Sequence, residues 1–322
     1  MLAVTATSTS SEDPLAGLSY GEHPDPSSPP GWVVVRVKAA ALNHHDLWTL
    51  RGVGVDAARL PIVLGCDAAG VTEDGREVVV HAVIGDPDAG DGDETLDPAR
   101  SLLSERYDGT LAELVAVPER NLLPKPAALS WVEAACLPTA WLTAYRMLFT
   151  WSGLQPGGRV LIQGAGGGVA TAAIQLARAA GYVVYVTSRD AARRDRAVEL
   201  GAHVAVPSGD RLPSRVDAVI ETVGAATWDH SIKSLEPGGT IVVSGATSGA
   251  DPPADLRRIF FKQLRVVGST MGTRAELARL LRFVQAADIH PQIDGVISLA
   301  EARTGFEQMM AGDVFGKIVF TV

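Results

Sequence analysis

Cysteine is almost absent from this 322-residue chain. Cys66 and Cys136 are the only two, which excludes a disulfide framework and fits a reducing compartment. Basic clusters and basic arms are also missing. With 28 Lys and Arg against 37 Asp and Glu, the formal net charge is −9, and this excludes nucleic acid or an anionic membrane surface as a partner. No apolar run reaches the ~18 residues of a membrane span, and Met1 to Ser10 lacks the basic start of a signal peptide. The expectation is a soluble, cytoplasmic protein. What the chain does have is apolar bulk and glycine, with 47% hydrophobic residues and 33 glycines. Its length suggests two domains, each able to build a core.

The most informative segment runs from Arg159 to Ala170, an apolar strand that enters a glycine turn and then a helix. Val160, Leu161 and Ile162 read as a buried parallel strand. Gly164, Gly166, Gly167 and Gly168 remove side chains that would block close backbone approach. Val169 then starts an apolar helix whose free N–H groups and positive dipole end suit a pyrophosphate. Glycine turns are common, but this one lies in a strand–turn–helix–strand context that marks a dinucleotide site.

The rest of the chain divides by rhythm. Up to about residue 125 it is β-rich, with alternating runs at Gly31–Lys38 and Glu77–Val83. Asp86–Asp97 is a polar tract expected to form an exposed, mobile loop. Ser130 and Glu133 form a capping box, as do Thr273 and Glu276. From about 157, strands are expected over 159–163, 182–187, 216–221, 240–245 and 264–269. Helices are expected over 169–180, 190–200, 226–235 and 255–262. That alternation implies an α/β fold, a doubly wound parallel sheet with helices on both faces. After Thr273, Leu277, Leu280, Leu281 and Val284 form the inward stripe of a last helix, and the tail returns to strands.

The end of the second Rossmann strand bears on the coenzyme. An acidic residue there favours NAD and repels a 2′-phosphate. Here the strand ends Val186-Thr-Ser-Arg-Asp190, with Arg193 one turn later. Ser188, Arg189 and Arg193 supply a hydroxyl and two guanidinium groups for that phosphate, which favours NADP(H). Asp190 stands where the next helix needs an N-cap. The arginines also fit a plain solvated helix face.

Over nearly its whole length the chain resembles the medium-chain dehydrogenase/reductase superfamily. The resemblance rests on Val37–Asp46, Leu64–Val71, Asp108–Glu113, Leu123–Ser130, the glycine turn and Glu236–Gly245. It implies a β-rich GroES-like catalytic domain over 1–138 and 273–322, and a Rossmann NADP-binding domain over 139–272. Zinc-dependent members carry a cysteine where this chain has Asn43, a His-Glu pair at Cys66-Asp67, and a second cysteine near Thr139. The tract 86–107 lacks the four structural cysteines of those members. Asn43 and Thr139 are poor zinc ligands, and the chain is similar to the zinc-free, quinone-oxidoreductase-like branch. The third turn glycine is Ala170 here, and a tyrosine often found over the cofactor phosphate has no match near Val206-Pro-Ser-Gly209.

The resemblance puts Asn43 and His44 beside the nicotinamide as catalytic candidates, with Asp46. Two readings fit Asn43: it presents its NH₂ to a substrate carbonyl, or it holds the local backbone. Asp46 also suits a helix cap, and Trp48 and Arg51 suit either a flat substrate's wall or domain packing. Thr143 aligns with a nicotinamide-contacting position, or is a helix-interior threonine bonded to its own backbone. Thr222 and Val223, Gly245 and Ala246, and Ser269, Thr270 and Met271 end successive strands, where ligands of open sheets bind. Lys317 is either a surface lysine or, as in the family, close to the cofactor.

The expected activity is NADPH-dependent hydride transfer to a quinone or α,β-unsaturated carbonyl without zinc. The alternatives are a zinc-independent alcohol or aldehyde dehydrogenase and a non-catalytic NADPH-binding sensor. An alcohol reaction would draw on His44 or His45 as a proton relay. The resemblance implies a homodimer through the edge strand of the nucleotide domain, Leu264–Gly268 here, a run apolar enough to need covering.

Overall fold

The computed structural model describes residues 1–322, which form two compact units. One comprises Met1–Leu142 and Gly272–Val322, the other Thr143–Met271. The first boundary falls a few residues beyond the one expected at 138/139. Trp131–Ala135, Leu137–Trp141, Leu142–Arg146 and Met147–Trp151 are successive helical segments, two of them π-helical. No loop or change of composition marks the crossing.

In the first unit the ten-residue strand Trp32–Ala41 lies at the centre of a seven-stranded sheet. The sheet runs Leu122–Pro124, Glu77–Val80, Asp67–Thr72, Trp32–Ala41, Lys317–Thr321 and Ile293–Ser298, with Leu114–Pro118 also paired to the central strand. Alternation drives this arrangement: Val35, Val37, Ala39 and Ala41 are all buried. The antiparallel register sets Ala41 opposite both Asp67 and Val319. It therefore brings Asn43, Asp67 and Lys317 to one end of the sheet from three distant parts of the sequence.

The acidic tract is more ordered than its composition suggests. Glu94, Thr95 and Asp97 are buried. Asp97 accepts from the N–H groups of Asp86 and Ala99 at 2.8 and 2.7 Å, and Glu94 from that of Arg274 at 2.6 Å. Local side-chain-to-backbone bonds close the loop. Thr273 and Glu276 form their capping box, and Leu277, Leu280, Leu281 and Val284 are buried along that helix.

The second unit is a six-stranded parallel sheet. Its order is Val204–Val206, Val183–Thr187, Arg159–Gln163, Val216–Glu221, Leu235–Val243 and Arg265–Gly268. The connecting helices are Gly168–Ala179, Ala191–Glu199, Ala225–Ser234 and Leu256–Phe261. Leu161, Val219, Ile241, Ile232 and Leu235 share one core, and each such buried side chain contributes about 1.5–3 kcal/mol. The edge strand Val204–Val206 is too short to register as a strand in the sequence.

Candidate functional site

At the end of the central strand of the first unit, Asn43 is the N-cap of the helix His44–Leu50. Asp46 closes a reciprocal cap: one of its oxygens accepts from the Asn43 N–H at 2.8 Å, the other from the Gly65 N–H at 2.9 Å. It is wholly buried, and that burial pushes its carboxyl up to about 6. This corrects its standing as a catalytic candidate, because both oxygens face the backbone and none faces solvent.

Of the two readings of Asn43, its contacts match the one that holds the local structure. Its Nδ2 donates to Asp67 Oδ2 at 2.8 Å and to the Ala41 carbonyl at 3.2 Å, so both protons are used. Its Oδ1 accepts from Lys317 Nζ at 2.6 Å. Lys317 is neither at the surface nor free for a cofactor, being 2% exposed. Its other two N–H donors go to the Leu42 carbonyl at 2.7 Å and Asp67 Oδ2 at 3.0 Å. The result is a ring around one buried ammonium group in which every donor is used. Asp67 Oδ1 and the Thr139 hydroxyl are buried beside no hydrogen-bond partner.

The adjacent histidines point different ways. His44 is exposed, and desolvation, followed by the charges of Lys317 and Arg51, keeps its imidazole below the ordinary range. Arg51 stacks over Trp48, its guanidinium 5.0 Å from the ring centre. His45 turns inward. Its Nδ1 lies 3.3 Å from both Cys66 Sγ and Ser104 Oγ, and its Nε2 lies 3.2 Å from Glu105 Oε1. Burial opposes charge on His45, but Cys66, then Glu105 and Asp46, outweigh it and hold the imidazole well above its usual range. Burial pushes the Cys66 thiol up, and its S–H donates to the Leu103 carbonyl at 3.2 Å. His45, Asp46 and Cys66 bring a ring nitrogen, a carboxylate oxygen and a sulfur within 4.8 Å of one another. Sequence reasoning missed the Glu105 and Ser104 partners, which lie some 60 residues away from His45.

In the second unit the candidates gather at the carboxyl ends of the parallel strands. Gly164 follows the first strand at φ +82°, a left-handed conformation that favours glycine. Gly167 is the N-cap of the helix Gly168–Ala179, with no side-chain hydrogen bond to the cap. A Cβ built on Gly167 meets nothing within 4 Å. The turn through Gly166, and the helix start through Gly168 and Val169, thus leave N–H groups open to an anion.

The loop after the second strand is braced from within. Asp190 caps the helix Ala191–Glu199 by accepting from the Arg193 N–H at 3.0 Å. Ser188 Oγ accepts from the Asp190 N–H at 3.2 Å, and the Ser188 carbonyl from Arg194 Nη1 at 2.8 Å. Arg194 had no sequence signal to distinguish it from its neighbours. Arg189 is exposed and Arg193 half-buried. Thr222 and Val223 follow the strand Val216–Glu221. A Cβ on Gly245 would lie 2.9 Å from the Thr222 carbonyl, so Gly245 and Ala246 lie close against that turn. Ser269 is buried with its hydroxyl unpartnered, Thr270 is exposed, and Met271 sits at φ +51°. Thr143 is a buried residue of the helix Leu142–Arg146.

Comparison with known proteins matches two family models: an alcohol dehydrogenase GroES-like domain over residues 29–127, and a zinc-binding dehydrogenase domain over 168–286. An acryloyl-coenzyme A reductase of Sulfurisphaera tokodaii is 29% identical, over 95% of this chain and 97% of that protein. A solved NAD-dependent alcohol dehydrogenase is 35% identical, with a TM-score of 0.91 over the whole of both chains. A crotonyl-CoA carboxylase/reductase solved in complex with NADP is 25% identical, with a TM-score of 0.92 over 100% of this chain and 94% of that one. The β-rich unit corresponds to the GroES-like domain and the parallel-sheet unit to the Rossmann domain. The chain belongs to the medium-chain dehydrogenase/reductase superfamily.

Proposed function

We propose that this chain is an NADPH-dependent oxidoreductase that transfers hydride to an α,β-unsaturated carbonyl without a catalytic metal. The oxidoreductase class follows from the family. The coenzyme reading draws on the uncapped helix start at Gly167, on the Ser188–Arg193 loop, and on the NADP carried by the crotonyl-CoA relative. The Gly164–Val169 turn would hold the pyrophosphate, and Ser188, Arg189 and Arg193 the 2′-phosphate. Bound NADPH supplies the hydride.

The observation that carries the metal-free reading is the Lys317 ammonium, held between Asn43, Asp67 and the Leu42 carbonyl. Zinc needs three or four N, S or O ligands with lone pairs to give. Asn43 offers its one acceptor to Lys317, and a second cation there would meet the ammonium charge. In the neighbouring His45–Asp46–Cys66 group both Asp46 oxygens accept from backbone N–H groups, the imidazole is engaged with Glu105, and burial favours the protonated thiol, whose S–H is given to Leu103. The residues present do not fit a tetrahedral zinc, in contrast to the name of the matched domain.

With all their donors spent on the ring, Asn43 and Lys317 orient the loop that presents His44. Its imidazole, kept neutral at physiological pH, is the exposed N–H donor of this segment for the acceptor oxygen, where negative charge develops. An enoyl thioester is the first substrate to test, since the acryloyl-coenzyme A reductase covers nearly the whole chain; quinones are the second. Alcohol oxidation is a second reading, favoured by the 35% identical alcohol dehydrogenase.

The test is coenzyme oxidation with NADPH and a panel of enoyl thioesters, enones and quinones, with NADP and alcohols in parallel. Turnover of the conjugated carbonyls is the expected result. Turnover of alcohols alone supports the second reading, and no turnover with bound NADPH supports a sensor. We also propose a homodimer formed through the strand Arg265–Gly268, which pairs on one side only and lies near the exposed Phe260 and Phe261. Light scattering at micromolar concentration should give twice the chain mass, and Val266→Lys should give the monomer. No helix is long and apolar enough to cross a membrane.

A further inference from the structure

Three buried polar residues immediately precede three of the coenzyme candidates: Gln163 before Gly164, Thr187 before Ser188, and Glu221 before Thr222. They are at most 1% exposed. A single directional chain of hydrogen bonds joins them. The Gly164 N–H points at Thr187 Oγ1 across a long 3.5 Å, and the Thr187 hydroxyl donates to Gln163 Oε1 at 2.5 Å. Gln163 Nε2 donates to Ser231 Oγ at 2.9 Å, and the Ser231 hydroxyl donates to Glu221 Oε2 at 2.6 Å. The second proton on Gln163 Nε2 meets His230 Nδ1 at 2.9 Å, which fixes the orientation of the carboxamide. Glu221 ends the chain as acceptor for the Val223 and Gly224 N–H groups, at 2.8 and 3.0 Å, and for the Thr227 hydroxyl at 2.9 Å.

No basic side chain meets Glu221 among these contacts. A carboxylate buried on hydrogen-bond donors alone is costly to assemble, and every member of the chain must be satisfied for it to persist. The Thr187–Gln163 bond ties two strand ends directly, and Ser231 of the helix Ala225–Ser234 ties Gln163 to Glu221, so the three strand ends are linked. We infer that Gln163, Thr187 and Glu221 are positioning residues for the coenzyme, and that the Thr187–Gln163 bond sets the choice between NADPH and NADH. Thr187 fixes the chain at Ser188, where only NADPH adds a phosphate. Glu221 fixes the Thr222–Gly224 turn, which faces the part common to both coenzymes. This rests on the coenzyme assignment above and is independent of the substrate.

The test is coenzyme binding, followed by the fluorescence of NADPH and NADH without substrate. Thr187→Val keeps the shape and removes the donor. It should weaken NADPH about tenfold and NADH less than twofold, the scale of one buried hydrogen bond. Gln163→Met breaks the same bond from the other side but also cuts the link through Ser231 to Glu221, so it should weaken both coenzymes and NADPH the more, whereas Thr187→Ser should restore selectivity. Glu221→Gln should weaken both coenzymes by equal factors. Equal weakening of the two coenzymes by Thr187→Val, or no change, overturns the inference. So does failure of both Thr187→Val and Gln163→Met to fold, since that makes the chain a folding element. A wild-type protein that prefers NADH would instead strike the coenzyme assignment itself.

Discussion

Lys317 in the GroES-like unit uses all three of its N–H donors on the protein, whereas the helix Gly168–Ala179 in the Rossmann unit opens with no side-chain cap. The first arrangement is closed. Asn43, Asp46 and Lys317 satisfy one another and the backbone, and they shape a segment rather than bind a ligand. The second is open: no side chain caps the first N–H groups of that helix. The contrast teaches that chemistry-bearing residue types do not by themselves mark the binding surface. Unsatisfied donors do.

The largest test of the closed side is Lys317→Met. It leaves Asp67 buried without its countercharge and should cost about 3–5 kcal/mol in urea unfolding. Adding Asp67→Asn should return part of that loss. A cost below about 1 kcal/mol would mean that water reaches the ring and that the contrast fails.

On the open side, Gly167→Ala should separate fold from binding. The new methyl group meets no neighbour, so stability should change by less than about 1 kcal/mol. NADPH affinity should fall about thirtyfold, roughly 2 kcal/mol, because the methyl narrows the approach of the pyrophosphate. Equal losses in stability and binding would contradict an open site.

His45→Gln sharpens the closed side through pH. His45 is held above its usual 6.5, so its contribution is complete below that value and is lost as pH rises through the raised pKa. Glu105 is opposed by burial, but its bonds to His45 and Leu102 hold it below its usual 4.5. Its contribution is complete above that value and is lost as pH falls through the lowered pKa. The variant should therefore lose most stability, about 2 kcal/mol, between those two values, and less on either side. A loss independent of pH would mean that the pair is held by packing alone. The smallest effect belongs to Arg189→Gln, which should weaken NADPH about fivefold, roughly 1 kcal/mol, and leave NADH unchanged in a titration.

The Rossmann unit was more legible in the sequence than the GroES-like one, for a physical reason. Its elements are local: the strand Arg159–Gln163 and the helix after the glycine turn stand within one residue of where periodicity puts them. The cap at Asp190 is also a short-range feature. The network around Lys317 depends on pairing residues 41, 67 and 319, which only the sheet register brings together. No local pattern distinguishes a lysine that anchors such a ring from one on the surface, so Lys317 was readable in neither role. Asp46 shows the opposite case. Its spacing from Asn43 suits a cap, and that local reading, set beside the catalytic one, matches the bonds it makes. The acidic tract 86–97 looked mobile because its aspartates read as solvated, while Asp97 closes the loop on the Asp86 and Ala99 N–H groups and Glu94 accepts from the distant Arg274 N–H.

The most direct test of a metal-free NADPH site is the rate of NADPH oxidation with an enoyl thioester or enone, measured before and after exhaustive chelation. An unchanged rate is predicted, because the Lys317 ammonium already occupies the place of a cation. Loss of activity on chelation, with recovery on adding zinc, would contradict the account.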